Sequence, residues 1–157
     1  MTGLASAQIK MPEEFLLKVS RLGDQTDAIA AKALEAGGKV ALDKVRSNLR
    51  AVIGKGTKHP SRATGELAAS LGLSPAKVNW KGGHDIKVGF NEPRRKQRAA
   101  RGRRSYKEAT NAMLATVLEY GKQGQPPKPF LKPAKSAARK PCEEAMQRTL
   151  EEEIAKL

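Results

Sequence analysis

The sequence predicts an α+β fold in which a long N-terminal helix packs on a small antiparallel β-hairpin sheet and a C-terminal helix completes the core. Two stretches, residues 26–53 and 142–157, repeat apolar residues with a helical period. Between them, two short stretches alternate apolar and polar residues on either side of Gly82-Gly83, which is typical of a β-hairpin. With 157 residues, the chain is long enough for one hydrophobic core, so we expect a single domain.

The N-terminal region is expected to begin with a loose leader over residues 1–8, followed by a short strand around residues 9–11. A helix should begin at Pro12, because proline suits the first helical position and the two acids after it suit the positive end of the helix dipole. Apolar residues recur at helical spacing over residues 15–22, and Gly23 is expected to end this helix.

The longest predicted helix is capped by Asp24, Thr26 or Asp27 and runs to Ile53. Its apolar stripe consists of Leu34, Gly38, Leu42, Val45, Leu49 and Val52. The pair Gly37-Gly38 lies inside this helix, although each glycine costs about 1 kcal/mol relative to alanine there. Alanines flank the pair, so we expect another helix to cross closely at this point.

A loop over residues 54–63 leads to a short helix, which Thr64 should cap and which ends at Leu71. The hairpin follows, with strands over residues 76–80 and 86–90. Its six apolar side chains are expected to face the long helix together: Ala76, Val78, Trp80, Ile86, Val88 and Phe90.

Two further helices are predicted in the second half of the chain. The first covers residues 106–118 and should direct Ala109, Ala112, Met113 and Val117 inward. The second begins at Phe130 and runs toward Leu157, and Pro141 should kink or restart it because proline lacks the backbone N–H. Beyond that proline, the expected inward stripe is Met146, Leu150, Ile154 and Leu157, with Glu143, Glu144 and the glutamates at 151–153 in water.

The composition predicts a thin core. Apolar residues make up 39% of the chain, but 23 of them are alanines and only 4% of all residues are aromatic. Burial against other subunits would compensate for such a core. No apolar run approaches the roughly 20 residues that a membrane span needs, so a membrane is not an expected partner.

Most of the net charge of +14 lies in one part of the chain, because residues 93–140 contain 14 basic and only two acidic residues. A basic loop predicted over residues 93–106 contains an acid-free run of Arg94, Arg95, Lys96, Arg98, Arg101, Arg103 and Arg104. Such a run is typical of a contact with nucleic acid, with an acidic protein face or with an anionic membrane, and equally of a solvated loop.

Side chains suited to catalysis or metal binding are few and scattered. His59 and His84 lie in predicted loops and Cys142 is the sole cysteine, which excludes a zinc-type ligand spacing and an internal disulfide and fits a reducing compartment. Residues 54–57 contain two glycines and a lysine, but they lack the spacing of a Walker phosphate loop and follow a helix. We therefore expect no catalytic, cofactor-binding or metal-binding residues and no enzymatic activity.

Two phrases in the second half of the chain form a signature: Leu118-Glu119-Tyr120-Gly121, and then Pro127-Lys128-Pro129-Phe130-Leu131-Lys132-Pro133-Ala134. Together they resemble the signature of the tailed-phage head–tail joining family, also described as tail-completion, neck or minor tail proteins. The phrases Thr64-Gly65-Glu66-Leu67, Ser70-Leu71 and Lys87-Val88-Gly89-Phe90 also resemble this family. The likeness covers about residues 9–154. This sequence departs from the family pattern at residues 93–106, which are longer and more basic, and at Pro141.

The resemblance implies a structural virion protein, namely a small α+β subunit of a homo-oligomeric ring at the neck that joins head and tail or completes the tail. The implied partners are other copies of the chain, adjacent neck and tail proteins, and DNA in the lumen. The implied location is the virion, after assembly in the cytoplasm of the bacterial host, and the family has no known catalytic residues. The alternative is a basic nucleic-acid-binding protein that uses residues 94–104 on phosphates, although no large aromatic ring interleaves with these arginines.

The signature supplies the candidate subunit or partner interface: Glu119, Tyr120, Gly121, Pro129, Phe130, Leu131 and Pro133. Its prolines restrict the backbone and give the segment a defined path. Phe130 and Leu131 are large apolar residues in a polar stretch and therefore need a pocket, which either this subunit's own core or a neighbouring subunit can supply. The acid-free basic run is the second candidate site, where DNA or an acidic partner would bind.

Overall fold

The computed structural model describes residues 7–9, 12–13, 25–56, 63–91 and 110–156. The helix expected over residues 15–22, most of the leader, His59 and the basic loop expected over residues 93–106 lie outside these ranges. Ala109 and Leu157, which the sequence analysis placed on inward faces, also lie outside them.

Helix α1, Thr26–Val52, is the longest element and confirms the predicted long helix almost to the residue. Its buried face consists of Ile29, Ala30, Ala33, Leu34, Gly37, Gly38, Ala41, Val45 and Leu49. Leu42 and Val52 are only partly buried, at the margin of this face. The residue before the helix is Gln25, whose side chain makes no capping hydrogen bond, and Asp24, one of the three predicted caps, lies outside the described residues.

The double glycine lies where α1 is packed from two sides. A Cβ added to Gly37 would lie 2.6 Å from Met146 Cγ, on the side of the C-terminal helix. A Cβ added to Gly38 would lie 2.8 Å from a Leu73 methyl group and 3.2 Å from Ile86 Cδ1, on the side of the sheet. The predicted close helix crossing is therefore confirmed at Gly37, and Gly38 allows an equally close approach of the strands.

The four strands in the described part of the chain are organised around β4, His84–Phe90. The other three are β1, Ala7–Ile9; β2, Leu71–Leu73; and β3, Lys77–Val78. Each is antiparallel to β4, with registers of Ile9 to Ile86, Leu71 to Phe90 and Lys77 to Asp85. Between β2 and β3 the register shifts by one residue, as at a β-bulge, in the stretch that contains Pro75, which has no N–H to donate.

The sequence analysis missed β2, because it extended the preceding short helix to Leu71. Helix α2 spans only Glu66–Ser70 and is preceded by Gly65 at φ 81°, so the cap predicted at Thr64 is also wrong. Leu71 instead begins a strand, and this places its side chain in the core opposite Phe90.

The hairpin does not direct all six predicted side chains onto the long helix. Ile86, Val88 and Phe90 are buried as expected, but Val78 is 60% exposed and Trp80 is 89% exposed. Val78 lies opposite His84, whose Nε2 is 3.4 Å from Asp27 Oδ1 in the first turn of α1. The hairpin therefore reaches past the N-terminal end of α1. No helix of the described chain packs against the hairpin tip.

Helix α3, Asn111–Tyr120, begins where Thr110 Oγ1 accepts a hydrogen bond from the N–H of Met113, at 3.1 Å. The predicted inward face is wrong for Met113, which is 58% exposed. The buried residues of this helix are Asn111, Ala115 and Glu119, spaced four residues apart. Two of these three are polar, so a search for apolar periodicity places the inward face incorrectly.

Helix α4, Leu131–Ile154, runs antiparallel to α1 and makes the largest interface of the fold. It buries Ala134, Ala138, Cys142, Met146 and Leu150. The helix continues through Pro141 without a restart. This is possible because Pro141 is exposed and water can reach the carbonyl that lacks its donor. None of the helices in the described ranges is long and apolar enough to cross a membrane.

Candidate functional site

The signature folds into a turn that links α3 to α4, and Glu119 holds it together. The Glu119 carboxylate is buried and accepts hydrogen bonds from the backbone N–H groups of Phe130 at 2.7 Å, Leu131 at 2.8 Å and Lys132 at 2.9 Å. These N–H groups begin α4 and have no acceptor within that helix. Glu119 therefore caps α4 from the last turn of the preceding helix, where the helix dipole also favours a negative charge.

Gly121 makes the sharp change of direction after Glu119. Its φ is 78°, and an added Cβ would lie 2.8 Å from both the Gln125 carbonyl oxygen and the Pro127 nitrogen. Lys122 and Gln125 exchange two backbone hydrogen bonds across the turn. The glycine is required here for both its backbone conformation and its lack of a side chain.

Phe130 lies in the core of its own subunit. Its side chain has no exposed surface and packs edge-on against Phe90, with ring centroids 6.2 Å apart and an interplanar angle of 76°. Its carbonyl oxygen accepts a hydrogen bond from Asn48 Nδ2 at 3.2 Å. Leu131 is partly buried against the same core. Of the two pockets that the sequence left open for Phe130, the structure shows the intramolecular one.

Three of the candidate interface residues face outward, whereas Ala134 of the signature is buried and its Leu118 is partly buried against the core. Tyr120 is 72% exposed, and Pro129 and Pro133 are exposed. Pro129 also lines a shallow cleft of about 360 Å³ with Val52 and the backbone near Gly56, where Lys128 Nζ donates a hydrogen bond to the Lys55 carbonyl. The signature therefore combines a buried carboxylate cap with an exposed outer surface.

The basic run from Arg94 to Arg104 lies outside the described residues, but the structure describes the points where that segment leaves and rejoins the fold. Asn111 is buried, and its Nδ2 donates to the Asn91 carbonyl oxygen at 3.1 Å. The Asn91 N–H in turn donates to the Ser70 carbonyl oxygen at 2.7 Å. The two ends of the basic segment are therefore fixed side by side. Sequence reasoning missed this anchor, since an asparagine at the start of a helix has no distinctive signal.

The groups most suited to catalysis stand apart in the structure. Burial raises the pKa of the Cys142 thiol, which donates to the Gly37 carbonyl oxygen at 3.2 Å. His84 Nε2 lies 3.4 Å from Asp27 Oδ1 and makes no hydrogen bond with the described residues. Within the described ranges, no group of three or more His, Cys, Asp or Glu side chains could hold a metal ion.

One comparison with known proteins gives a match. Residues 13–121 match the family described as "Bacteriophage HK97-gp10, putative tail-component". No curated protein and no solved structure matches the chain significantly. The family match covers more than half of the chain and ends within the Glu119–Gly121 turn, so it includes the first phrase of the signature. The chain therefore belongs to the HK97 gp10-like family of bacteriophage tail components.

Proposed function

We propose that this tail component acts at the neck as a ring subunit that joins head and tail or completes the tail. The observation that carries this proposal is the Glu119-locked turn, which presents Tyr120, Pro129 and Pro133 at the surface of a chain from a tail-component family. A rigid surface loses little entropy on binding, as an assembly contact requires. The proposed partners are other copies of the chain and adjacent neck and tail proteins, after assembly in the bacterial cytoplasm.

The distribution of large apolar side chains supports self-association. Within the described residues, four of them are exposed: Val78, Trp80, Met113 and Tyr120. The core itself is rich in alanine, and its aromatic residues are Phe90 and Phe130. Closed rings are a common way for identical subunits to bury such surfaces through one repeated contact.

Tyr120→Ser tests the proposed interface, because the side chain is exposed and its loss should change stability by less than about 0.5 kcal/mol. We expect the variant to fold normally but to lower the yield of joined particles when it replaces the wild-type protein during phage growth. Glu35→Ser, at an exposed position of α1 outside the signature and outside this set of apolar side chains, is the control and should join tails normally. Normal joining by Tyr120→Ser, together with a single isolated copy at the neck in a virion reconstruction, would contradict the proposal.

The basic run is proposed to contact DNA in the lumen of the ring, and the side-by-side anchoring of its ends at Asn91 and Asn111 supports this role. Seven positive charges would give DNA affinity a log–log salt dependence no steeper than about −6. The alternative of a general nucleic-acid-binding protein uses the same charges. The other alternative, an acidic protein partner, does not require any DNA affinity.

Replacement of all seven basic residues of the run by Ser or Gln tests whether the partner of the run is DNA or an acidic protein. If the run contacts DNA, the variant should lose most of the salt-sensitive affinity, whereas replacement of the exposed lysines Lys39, Lys77 and Lys87 should have a smaller effect. Equal binding by the wild type and the seven-residue variant would rule out DNA as the partner of the run. A failure of tail joining alone would then favour the acidic partner.

A further inference from the structure

Helix α4 carries its charges in two blocks of opposite sign. Residues 131–141 contain four basic residues and no acid, whereas residues 142–154 contain five glutamates and one arginine. The first turn of the helix has no acid and the last turn has no base. This is the reverse of what the helix dipole favours. The charge pattern therefore opposes helix stability and calls for another explanation.

The packing of α4 on α1 strengthens this polarity. The helices are antiparallel, since Asn48 contacts the start of α4 at Phe130 and Lys32 Nζ lies 2.6 Å from Glu153 Oε2 near its end. Helix α1 has Asp27 in its first turn and Arg50 in its last. The end of the helix pair near Phe130 is therefore basic. At the other end Lys32 and Lys156 both pair with Glu153, whereas Asp27, Glu151 and Glu152 form no ion pair with a described lysine or arginine. We call Arg50, Lys55, Lys128, Lys132 and Lys135 the basic end, and Asp27, Glu151 and Glu152 the acidic end.

Glu153 is the neutralised acid near the end of α4, because Lys32 and Lys156 both pair with it, and Glu152 also contributes to raising the pKa of Lys156. Four other charges near the two ends lack such a pair. Lys132, Lys135, Glu151 and Glu152 are exposed, and none of them forms an ion pair with a described residue. Glu151 accepts a hydrogen bond from the neutral side chain of Gln147. The two lysines lie about 25 Å from the two glutamates along the helix, at 1.5 Å per residue. This is well beyond the roughly 8 Å over which salt screens exposed charges, so the ends cannot neutralise each other in one subunit.

We propose that the acidic end of one subunit docks on the basic end of the next copy of the chain. A second copy is the occupant because each subunit carries both complementary charge sets, with two exposed lysines near one end of α4 and two exposed glutamates near the other. The contact is head-to-tail, and a head-to-tail contact of suitable angle closes into a ring. This inference rests on the proposed ring and names the surfaces that form it.

Charge reversal at each end, alone and together, tests the docking. The first variant is Lys132→Glu/Lys135→Glu, the second is Glu151→Lys/Glu152→Lys, and the third carries all four changes. Each two-residue variant should weaken self-association at least about tenfold, because two attractive pairs become repulsive. Glu151→Lys/Glu152→Lys should also keep or raise the melting temperature, since its new charges suit the dipole of α4. Lys132→Glu adds a carboxylate near that of Glu119, so the first variant is compared with the four-residue variant, which carries the same change. The four-residue variant should recover self-association and tail joining, because its two ends are again complementary.

Sedimentation velocity at low and high salt and phage complementation give the two readouts. Lys39→Glu/Lys87→Glu, exposed positions away from both ends, matches the charge change of the first variant and should behave as wild type. If both two-residue variants assemble normally into a wild-type ring, the docking is refuted while the ring stands. If the four-residue variant fails like the others, the ends bind different proteins and the docking is again refuted. A single copy at the neck in a virion reconstruction would instead refute the ring itself.

Discussion

Removal of the Glu119 carboxylate is the most direct test of how the signature turn works. Glu119→Ala would leave three N–H groups without an acceptor, those of Phe130, Leu131 and Lys132. The N–H of Phe130 is buried, and those of Leu131 and Lys132 are partly buried. A buried unsatisfied donor costs about 1–3 kcal/mol, and water can partly compensate the other two, so we expect a total loss of about 3–5 kcal/mol. At about 2–4 °C per kcal/mol for this chain length, the melting temperature should fall by about 6–20 °C.

Glu119→Gln should lower the stability of the protein, but by less than Glu119→Ala. Its single carbonyl oxygen can accept from Phe130 and Leu131, but its amide NH₂ would then face the N–H of Lys132, where the structure has Glu119 Oε1. The expected loss is about 1–3 kcal/mol.

Urea denaturation followed by circular dichroism measures both Glu119 variants, and Glu35→Ala, at an exposed acid in the middle of α1, is the control for the change in charge. The expected order of stability is wild type and Glu35→Ala, then Glu119→Gln, then Glu119→Ala. A loss of less than about 1 kcal/mol for Glu119→Ala would show that water replaces the carboxylate and that Glu119 does not lock the turn.

Three further predictions concern the core and the helix pair. Phe130→Ala should cost about 3–5 kcal/mol in denaturant unfolding, because the ring is fully buried against Phe90; an unchanged unfolding curve would contradict this core role. Gly37→Ala should cost about 1–3 kcal/mol by the same measurement, since its Cβ would lie 2.6 Å from Met146 Cγ, and the double variant with Met146→Ala should show a coupling between the two sites. The hydrogen bonds from Lys156 and Lys32 hold the pKa of the Glu153 carboxyl below its ordinary value, so its stabilisation is present above the pKa of an unfolded glutamate and is lost as the pH falls through the lower folded value. Glu153→Gln should therefore flatten the acid limb of the stability–pH curve, and an identical limb in both proteins would refute this linkage.

Local sequence patterns determined the two long helices and the position of their closest contact. The apolar period over residues 26–53 and the stripe through Met146 and Leu150 predict helices that the structure confirms, because a helix that packs on a core must repeat its apolar residues about every 3.6 positions. The Gly37-Gly38 pair predicts the close approach, since glycines inside a helix are unfavourable unless a neighbour occupies the space of their side chains. Each of these features depends mainly on residues within a few turns of one another.

The tertiary structure alone decided how residues distant in the sequence are used. Trp80 and Val78 alternate like core residues, yet they are exposed: β3 ends at Val78, and Trp80 lies in the turn that follows. Glu119 acts as a helix cap only because the N–H groups at the start of α4, 11 residues farther along the chain, fold against its carboxylate. The two charge blocks of α4 are visible in its sequence, but only the antiparallel packing on α1 adds Arg50 at one end and Asp27 at the other. The physical reason is the same in each case: burial, hydrogen bonding and charge clustering depend on which distant segments become neighbours, and local sequence periodicity does not contain that information.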